Sequence, residues 1–295
     1  MMYLISYIIL YPIIMLMSRL PFWVIYCISD ILYFFTYYII GYRKKVVFDN
    51  LRLVFPEKSE KEITKIAKDS YLHFGDILME TIKAFSMSDR EFAKRYRFLN
   101  LDIFEAQFKK NKSVAMIGSH YGNWEWFIHV AQYTSHTIYG TYNTIMNPYF
   151  DELIRKSRER FGGVLVPTNE TIPTIIQNTE NQKLSIYGLL SDQSPMVQKA
   201  IYWNKFMGVK VPIHTGAEVL AKKYNLAVVY FSVEQIKRGY YEITLKTLAD
   251  DPSTFKNYEI TDQFLKLVEE QIKRKPSLYF WTHRRWKHKD KAPLN

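Results

Sequence analysis

The segment Ser119-His120-Tyr121-Gly122-Asn123-Trp124-Glu125 holds the residue types that general-base chemistry requires. An imidazole titrates near neutral pH and can take a proton from a hydroxyl. A nearby carboxylate can orient that imidazole and stabilise its charged form. On one continuous helix, side chains five positions apart would diverge by about 140°. A strand–turn–helix instead lets the turn fold His120 back toward Glu125. The flanking sequence supports this: Ser113 to Gly118 (SVAMIG) is a short apolar run ending in glycine, as in a buried strand. Gly122 permits close backbone approach. Glu125 falls in the first turn of a helix predicted over 125–133. The expectation is a base, His120, oriented by Glu125 at a strand C-terminus, where open α/β sheets build their sites.

Rival chemistries have less support. Ser119 adjoins His120, but a nucleophile elbow needs glycine two positions to either side, where Ile117 and Tyr121 stand. The single cysteine, Cys27, lies in an apolar stretch. One cysteine makes neither an intramolecular disulfide nor a multi-cysteine zinc site. The seven histidines contain no H-E-x-x-H spacing, so no metal is expected.

The elements that would position these residues follow from periodicity. Residues 57–97 read as helices: Ser59 with Glu62 resembles a capping box, and Ile63, Ile66, Ala67 and Tyr71 recur at helical spacing. Strands are predicted at 138–142, 164–166, 184–190 and 227–233, with 240–245 as the antiparallel neighbour of the last. Helices are predicted at 148–161, closed by Gly162 and Gly163, and at 172–178, 216–224 and 261–275, the last stopped by Pro276. Strands alternating with helices imply an α/β fold, a mixed sheet flanked by helices.

Ahead of this lies an apolar region. Residues 1–18 carry no charged side chain, and as a helix they would span roughly 27 Å, close to a bilayer's hydrocarbon thickness. Pro12 would kink that helix, and Arg19 and Pro21 interrupt it. A second run, 22–42, has Asp30 as its one charge and can return as a hairpin, lie at the interface or pack as a core helix. A cleaved signal peptide fits poorly, without a positive n-region or a small-residue cleavage site. Arg43, Lys44 and Lys45 follow, and the positive-inside rule puts the remainder in the cytoplasm. The organisation expected is a membrane anchor over 1–42 and one α/β domain over 43–295.

The chain has 40 Lys plus Arg against 29 Asp plus Glu, a net charge of +11. Such a balance favours an anionic partner. No RRM, helix-turn-helix or zinc-finger signature is visible, so nucleic acid is not expected. Hydrophobic residues at 48% argue against disorder, and the 16% aromatic share suits a bilayer interface as well as a core.

GSHYGNWE resembles the His-x4-Glu/Asp motif of the lysophospholipid acyltransferase superfamily, and the wider chain resembles its lipid A late (secondary) acyltransferase branch. Four further stretches are similar to that branch in order: RKKVVFDNLRLVFPE at 43–57, RERFGGVLVP at 158–167, LSDQSP at 190–195 and PSLYFWTHRRWK at 276–287. The resemblance covers roughly 42–288. It implies an α/β acyltransferase that moves a fatty acyl chain from a thioester, on acyl carrier protein or else coenzyme A, to a hydroxyl of a lipid A precursor. It implies no metal or organic cofactor beyond that donor. His120 matches the family's general base and Glu125 its orienting acid. Arg158 matches the second-motif arginine, suited to a tetrahedral oxyanion. Asp192 matches the acidic residue of the Asp-Gln segment, positioning Arg158 or substrate, or capping a helix. Asn123, Arg284 and Arg285 are further substrate-binding candidates. His283, Arg284 and Arg285 either form a basic face for headgroups or carrier, or brace the core through Trp281 and Trp286. The implied location is the inner membrane of a Gram-negative bacterium, catalytic domain toward the cytoplasm. Two other readings stay open: acyl transfer to another membrane lipid (lysophospholipid, aminolipid or glycolipid), and a non-enzymatic basic membrane-binding protein.

Overall fold

The computed structural model describes residues 2–292. Met1 and 293–295, the outer limits of the expected anchor and domain, lie outside the described residues. Two apolar helices come first, α1 (Met2–Arg19) and α2 (Phe22–Phe34), the latter running on as a π-helical turn, Phe35–Ile39. Both Met2–Arg19 and Phe22–Ile39 are long and apolar enough to cross a membrane by length and composition. Next come α3 (Lys44–Val54), α4 (Glu60–Lys83) and α5 (Asp89–Arg95). The capping box predicted at Ser59 and Glu62 starts α4: the Ser59 hydroxyl accepts from the Glu62 N–H, and the Glu62 carboxylate accepts from the Ser59 N–H at 2.8 Å.

The sheet elements follow: β1 (Tyr96–Leu99), α6 (Asp102–Lys109), β2 (Val114–Gly118), β3 (Thr137–Tyr142), α7 (Pro148–Glu159), β4 (Val164–Pro167), α8 (Thr171–Glu180) and β5 (Ser185–Leu190). A hairpin of β6 (Trp203–Phe206) and β7 (Val209–Pro212) precedes α9 (Gly216–Tyr224), β8 (Ala227–Lys237), β9 (Tyr240–Ala249) and α10 (Glu259–Arg274). The main sheet is mixed, seven strands in the order β1-β9-β8-β2-β5-β3-β4. β9 runs antiparallel to β8, as predicted, and every other neighbouring pair is parallel.

β2 is central and wholly buried, which is why it reads as a continuous apolar run rather than an alternating one. Ala115 and Ile117 face a core built from α3, α4, α9 and α10, while Val114 and Met116 face Phe92, Phe104, Trp126 and Val130. Between β2 and β3 the predicted helix is a 3-10 helix, Glu125–Tyr133. Its buried pairs Trp126/His129 and Phe127/Val130 are three residues apart, the repeat of that tighter helix.

Candidate active site

β2 ends at Gly118, and the chain turns through Ser119 to Gly122. Gly122 has φ +60°, and a Cβ there would lie 2.7 Å from Val233 Cγ1, so the turn requires glycine. The C-terminal segment frames the same turn. Gly122 N–H donates to the Leu278 carbonyl at 3.0 Å, and Phe280 N–H donates to the His120 carbonyl at 3.1 Å. Tyr121 and Tyr279 form an antiparallel bridge between them. His120 projects among aromatic rings, with Trp124 at 5.3 Å and Phe280 at 6.1 Å.

The carboxylate beside His120 is Asp192. Its Oδ1 lies 2.8 Å from His120 Nδ1 and also accepts from the His120 backbone N–H at 3.1 Å. Asp192 stands just past β5, which pairs with β2 in parallel. Burial alone would lower the pKa of His120, but Asp192, with a smaller contribution from Glu125, overcomes it and leaves the pKa raised. Burial alone would raise the pKa of Asp192, yet its contact with His120 holds it below the ordinary carboxylate value.

Glu125 is placed differently from expectation. Its Oε2 is paired with the Arg158 guanidinium, and its Oε1 accepts from Trp124 Nε1 at 3.1 Å. The physical reason is the 3-10 turn, which starts Glu125 toward α7, where Arg158 occupies the last turn. Asp192, in turn, touches the imidazole and caps no helix. The site thus has two ion pairs, His120–Asp192 and Arg158–Glu125, where Glu125 was expected to orient His120 and Asp192 to position Arg158 or substrate.

Asn123 is fully buried. Its Nδ2 donates to Glu80 Oε2 at 2.6 Å, and its Oδ1 accepts from the Trp126 N–H at 3.1 Å. Both ends of its amide thus organise the turn. Glu80, which no sequence pattern singled out, also accepts from Tyr241 Oη at 3.0 Å. Burial raises the pKa of Glu80 to about 8, with Asp76 adding to the effect. Arg284 is exposed. Arg285 is fully buried, stacked over Phe206 at 5.0 Å and donating to the Pro212 carbonyl at 3.2 Å. It braces the β6–β7 hairpin beside Trp286, whose indole N–H donates to the Phe206 carbonyl at 3.2 Å. His283 accepts from the Ser194 N–H at 3.3 Å. Burial, with His120 and Arg285 nearby, pushes its pKa to about 4 against the opposing pull of Asp192, so it is neutral rather than part of a basic face.

His120, Glu125 and Arg158 line a cavity of about 520 Å³ whose walls include Met116, Phe127, Ile138 and Phe231. Gly140 and Gly188 are paired in register across β3 and β5 and lie bare in the same wall. A Cβ on Gly140 would lie 3.0 Å from Leu165 Cδ2, and one on Gly188 would lie 3.5 Å from Met116 Cε. Asn123, Arg284 and Arg285 are not among the lining residues. An imidazole and a guanidinium sharing one cavity with both polar and apolar walls have the chemistry to deprotonate a hydroxyl and stabilise an oxyanion beside a hydrocarbon chain.

The model of the bacterial lipid A biosynthesis acyltransferase family matches residues 2–288. The chain belongs to this family. It is 25% identical over 249 residues to the lipid A biosynthesis lauroyltransferase of Escherichia coli, an alignment covering 83% of this chain and 79% of that protein. The lipid A biosynthesis palmitoleoyltransferase of the same organism is 22% identical over 247 residues, with 83% and 79% covered. A lipid A biosynthesis acyltransferase of Haemophilus influenzae is 21% identical over 244 residues, with 79% and 72% covered. The protein is an acyltransferase, and all five motifs read from the sequence fall inside the matched span.

Proposed function

We propose that this lipid A family acyltransferase moves a fatty acyl chain from an acyl carrier protein thioester to a hydroxyl of a lipid A precursor, with His120 as general base. The observation that carries the reading is the Asp192-held imidazole of His120 lining the same cavity as Arg158. An imidazole that donates from Nδ1 to Asp192 leaves Nε2 to take the hydroxyl proton. The acceptor oxygen then attacks the thioester carbonyl carbon. Arg158, steered by Glu125, stabilises the oxyanion. The C–S bond breaks as the carbonyl reforms, and the imidazolium returns its proton to the departing thiolate. The apolar wall of the cavity holds the acyl chain. No metal or organic cofactor takes part in this scheme beyond the thioester donor.

The net charge of +11 suits an acidic carrier and a phosphorylated lipid. Coenzyme A is the alternative donor. The apolar N-terminal helices, followed by Arg43, Lys44 and Lys45, support attachment to the bacterial inner membrane with the site toward the cytoplasm.

The test is to incubate detergent-purified protein with acyl carrier protein thioesters and a panel of lipid acceptors, and to read products by mass spectrometry beside His120→Ala. One added acyl mass on the lipid A precursor, absent with the variant, is the expected result. Addition to another lipid would overturn the acceptor while keeping the chemistry. Equal product from enzyme and variant would remove His120 from the reaction.

A further inference from the structure

We propose that Glu80 is a positioning residue for the candidate active site: through Asn123 it holds the start of the 3-10 helix that aims Glu125 at Arg158. Its effect on rate rests on the roles proposed above for His120 and Arg158, but the geometry that carries it does not.

The first observation is where Glu80 stands. It lies near the end of α4, wholly buried, beside Trp126 and Tyr241. A carboxyl is costly in such a place unless its oxygens are hydrogen-bonded. Three donors from three elements converge on it. Tyr26 Oη, from α2, donates to Oε1 at 2.9 Å, and Tyr241 Oη, from β9, donates to Oε2 at 3.0 Å. These two tie Glu80 to the framework. Asn123 Nδ2, from the turn after β2, donates to Oε2 at 2.6 Å. Through that bond Glu80 reaches the turn that bears His120.

The second observation is what Asn123 passes on. Its Oδ1 accepts from the Trp126 N–H at 3.1 Å, which turns Nδ2 toward Glu80. An N–H in the first turn of a helix has no partner within that helix, so a side chain must supply one. The Trp126 indole is held as well, donating from Nε1 to the Glu80 backbone carbonyl at 3.1 Å. Glu80 thus grips Trp126 twice, by its side chain through Asn123 and directly by its main chain. His73, seven residues earlier on the same face of α4, donates from Nε2 to the Gly122 carbonyl at 3.3 Å. One helix therefore backs the turn at residues 122, 123 and 126.

The third observation is what this backing fixes. Glu125 immediately precedes Trp126, and its carboxylate pairs with Arg158 in the last turn of α7. Releasing Asn123 frees the first turn of the 3-10 helix, and with it the carboxylate that steers the guanidinium. Neither Glu80 nor Asn123 is among the residues lining the cavity, so Glu80 acts on the reaction through others.

Two replacements separate the acceptor from the bulk of the side chain. Burial and Asp76 raise the pKa of Glu80 to about 8, so near neutral pH its carboxyl is mostly uncharged and glutamine reproduces both its shape and its acceptor for Asn123. Leucine has similar bulk and no acceptor.

The test compares Glu80→Gln, Glu80→Leu and Arg158→Met in the full, detergent-purified chain near neutral pH. Acyl transfer from acyl carrier protein thioesters to lipid A precursor is measured beside backbone hydrogen exchange read by mass spectrometry. Glu80→Leu is expected to lose on the order of 10²-fold in kcat, the scale of a misplaced catalytic group, with KM for the donor little changed. Glu80→Gln is expected to keep most of the wild-type kcat. Combining Glu80→Leu with Arg158→Met should cost no more than Arg158→Met alone. Exchange in Glu80→Leu should quicken over residues 123–133 and stay slow in β5 and α10. Wild-type kcat in Glu80→Leu, equal impairment of Glu80→Gln, losses that add to those of Arg158→Met, or exchange quickened equally throughout would each overturn the inference. If Glu80→Leu does not fold, Asn123→Ala takes its place, since it leaves Glu80 both tyrosines: the same loss and the same local exchange are expected, and wild-type values overturn the inference. If the wild type transfers no acyl chain, the proposed function fails, and exchange alone decides: quickening over 123–133 in Glu80→Leu but not in Glu80→Gln upholds the positioning role, and its absence removes it.

Discussion

Asp192 accepts two hydrogen bonds from His120 through one oxygen, from the backbone N–H at 3.1 Å and from the imidazole Nδ1 at 2.8 Å. Asp192 is sealed from water, only 1% exposed, while His120 faces the cavity. Both ring orientation and tautomer are therefore set by a residue 72 positions away in sequence, and Glu125 is released to hold Arg158.

Asp192→Asn tests that relationship. His120 must be neutral to act as base, and its raised pKa puts the acid limb of activity above the ordinary imidazole value of about 6.5. Activity of the wild type therefore rises as pH rises through that limb. Removing the carboxylate moves the limb to lower pH and reduces kcat by roughly 10²–10⁴. A pH profile of kcat/KM checks it; an unmoved limb would detach Asp192 from the base.

Glu125 and Arg158 are expected to behave as one unit. Arg158→Met removes an oxyanion donor and should cost on the order of 10²–10³ in kcat. Glu125→Gln should lower activity by misplacing Arg158, while moving the acid limb much less than Asp192→Asn does. In a double-mutant cycle the two losses should not add. Additive losses, or a Glu125→Gln profile matching that of Asp192→Asn, would show Glu125 acting on His120 instead.

The glycine pair in the cavity wall makes a prediction about chain length. Gly188→Val places a branched side chain where a first carbon would already touch Met116. Transfer from long-chain donors should fall more than transfer from short-chain donors. Product yields across a donor series measure this, and equal losses at every length would place the acyl chain elsewhere.

His129 sets a stability dependence on pH. It is fully buried, stacked on Phe92 at 4.5 Å with Phe161 edge-on at 4.6 Å, and neither ring nitrogen has a hydrogen-bond partner among the described residues. Burial lowers its pKa to about 4. The unfolded chain, titrating near 6.5, binds a proton that the folded one refuses. The His129 contribution is therefore intact above about pH 6.5 and is lost as pH falls toward 4, at up to about 1.4 kcal/mol per pH unit. His129→Phe should flatten that part of the curve of melting temperature against pH, and an unchanged slope would assign the acid sensitivity to other groups.

Much of the fold was legible because its signals are local. The β2 run, the capping box at Ser59 and Glu62, and the β8–β9 neighbours were read in place. β1, α6 and the β6–β7 hairpin were not, since each is short and defined by tertiary contacts rather than by periodicity. At the candidate site, the turn that bears His120 was read in place, but the carboxylate that His120 touches was not, because spacing along the chain says nothing of neighbouring strands. In the register of β2 with β5, Gly118 stands opposite Leu190. His120 and Asp192 each lie two residues beyond that pair, so knowledge of the strand pairing alone would have joined them. The helix over 125–133 was read with its bounds, but its 3-10 type was not, because a segment rich in aromatics carries an apolar period that neither helix type owns.

The framing of the His120 turn by Leu278 and Phe280 also fixes an order of events in time. Chains leave the ribosome N-terminus first, at ~5–20 residues per second. The apolar helices emerge at the beginning and can meet a membrane long before the last segment exists. Until residue 280 is available, the turn lacks both of these backbone hydrogen bonds and Tyr121 has no strand partner. A nascent or prematurely terminated chain can therefore hold its apolar helices complete while the turn that bears His120 is still unframed, so that turn takes its final shape only as translation ends.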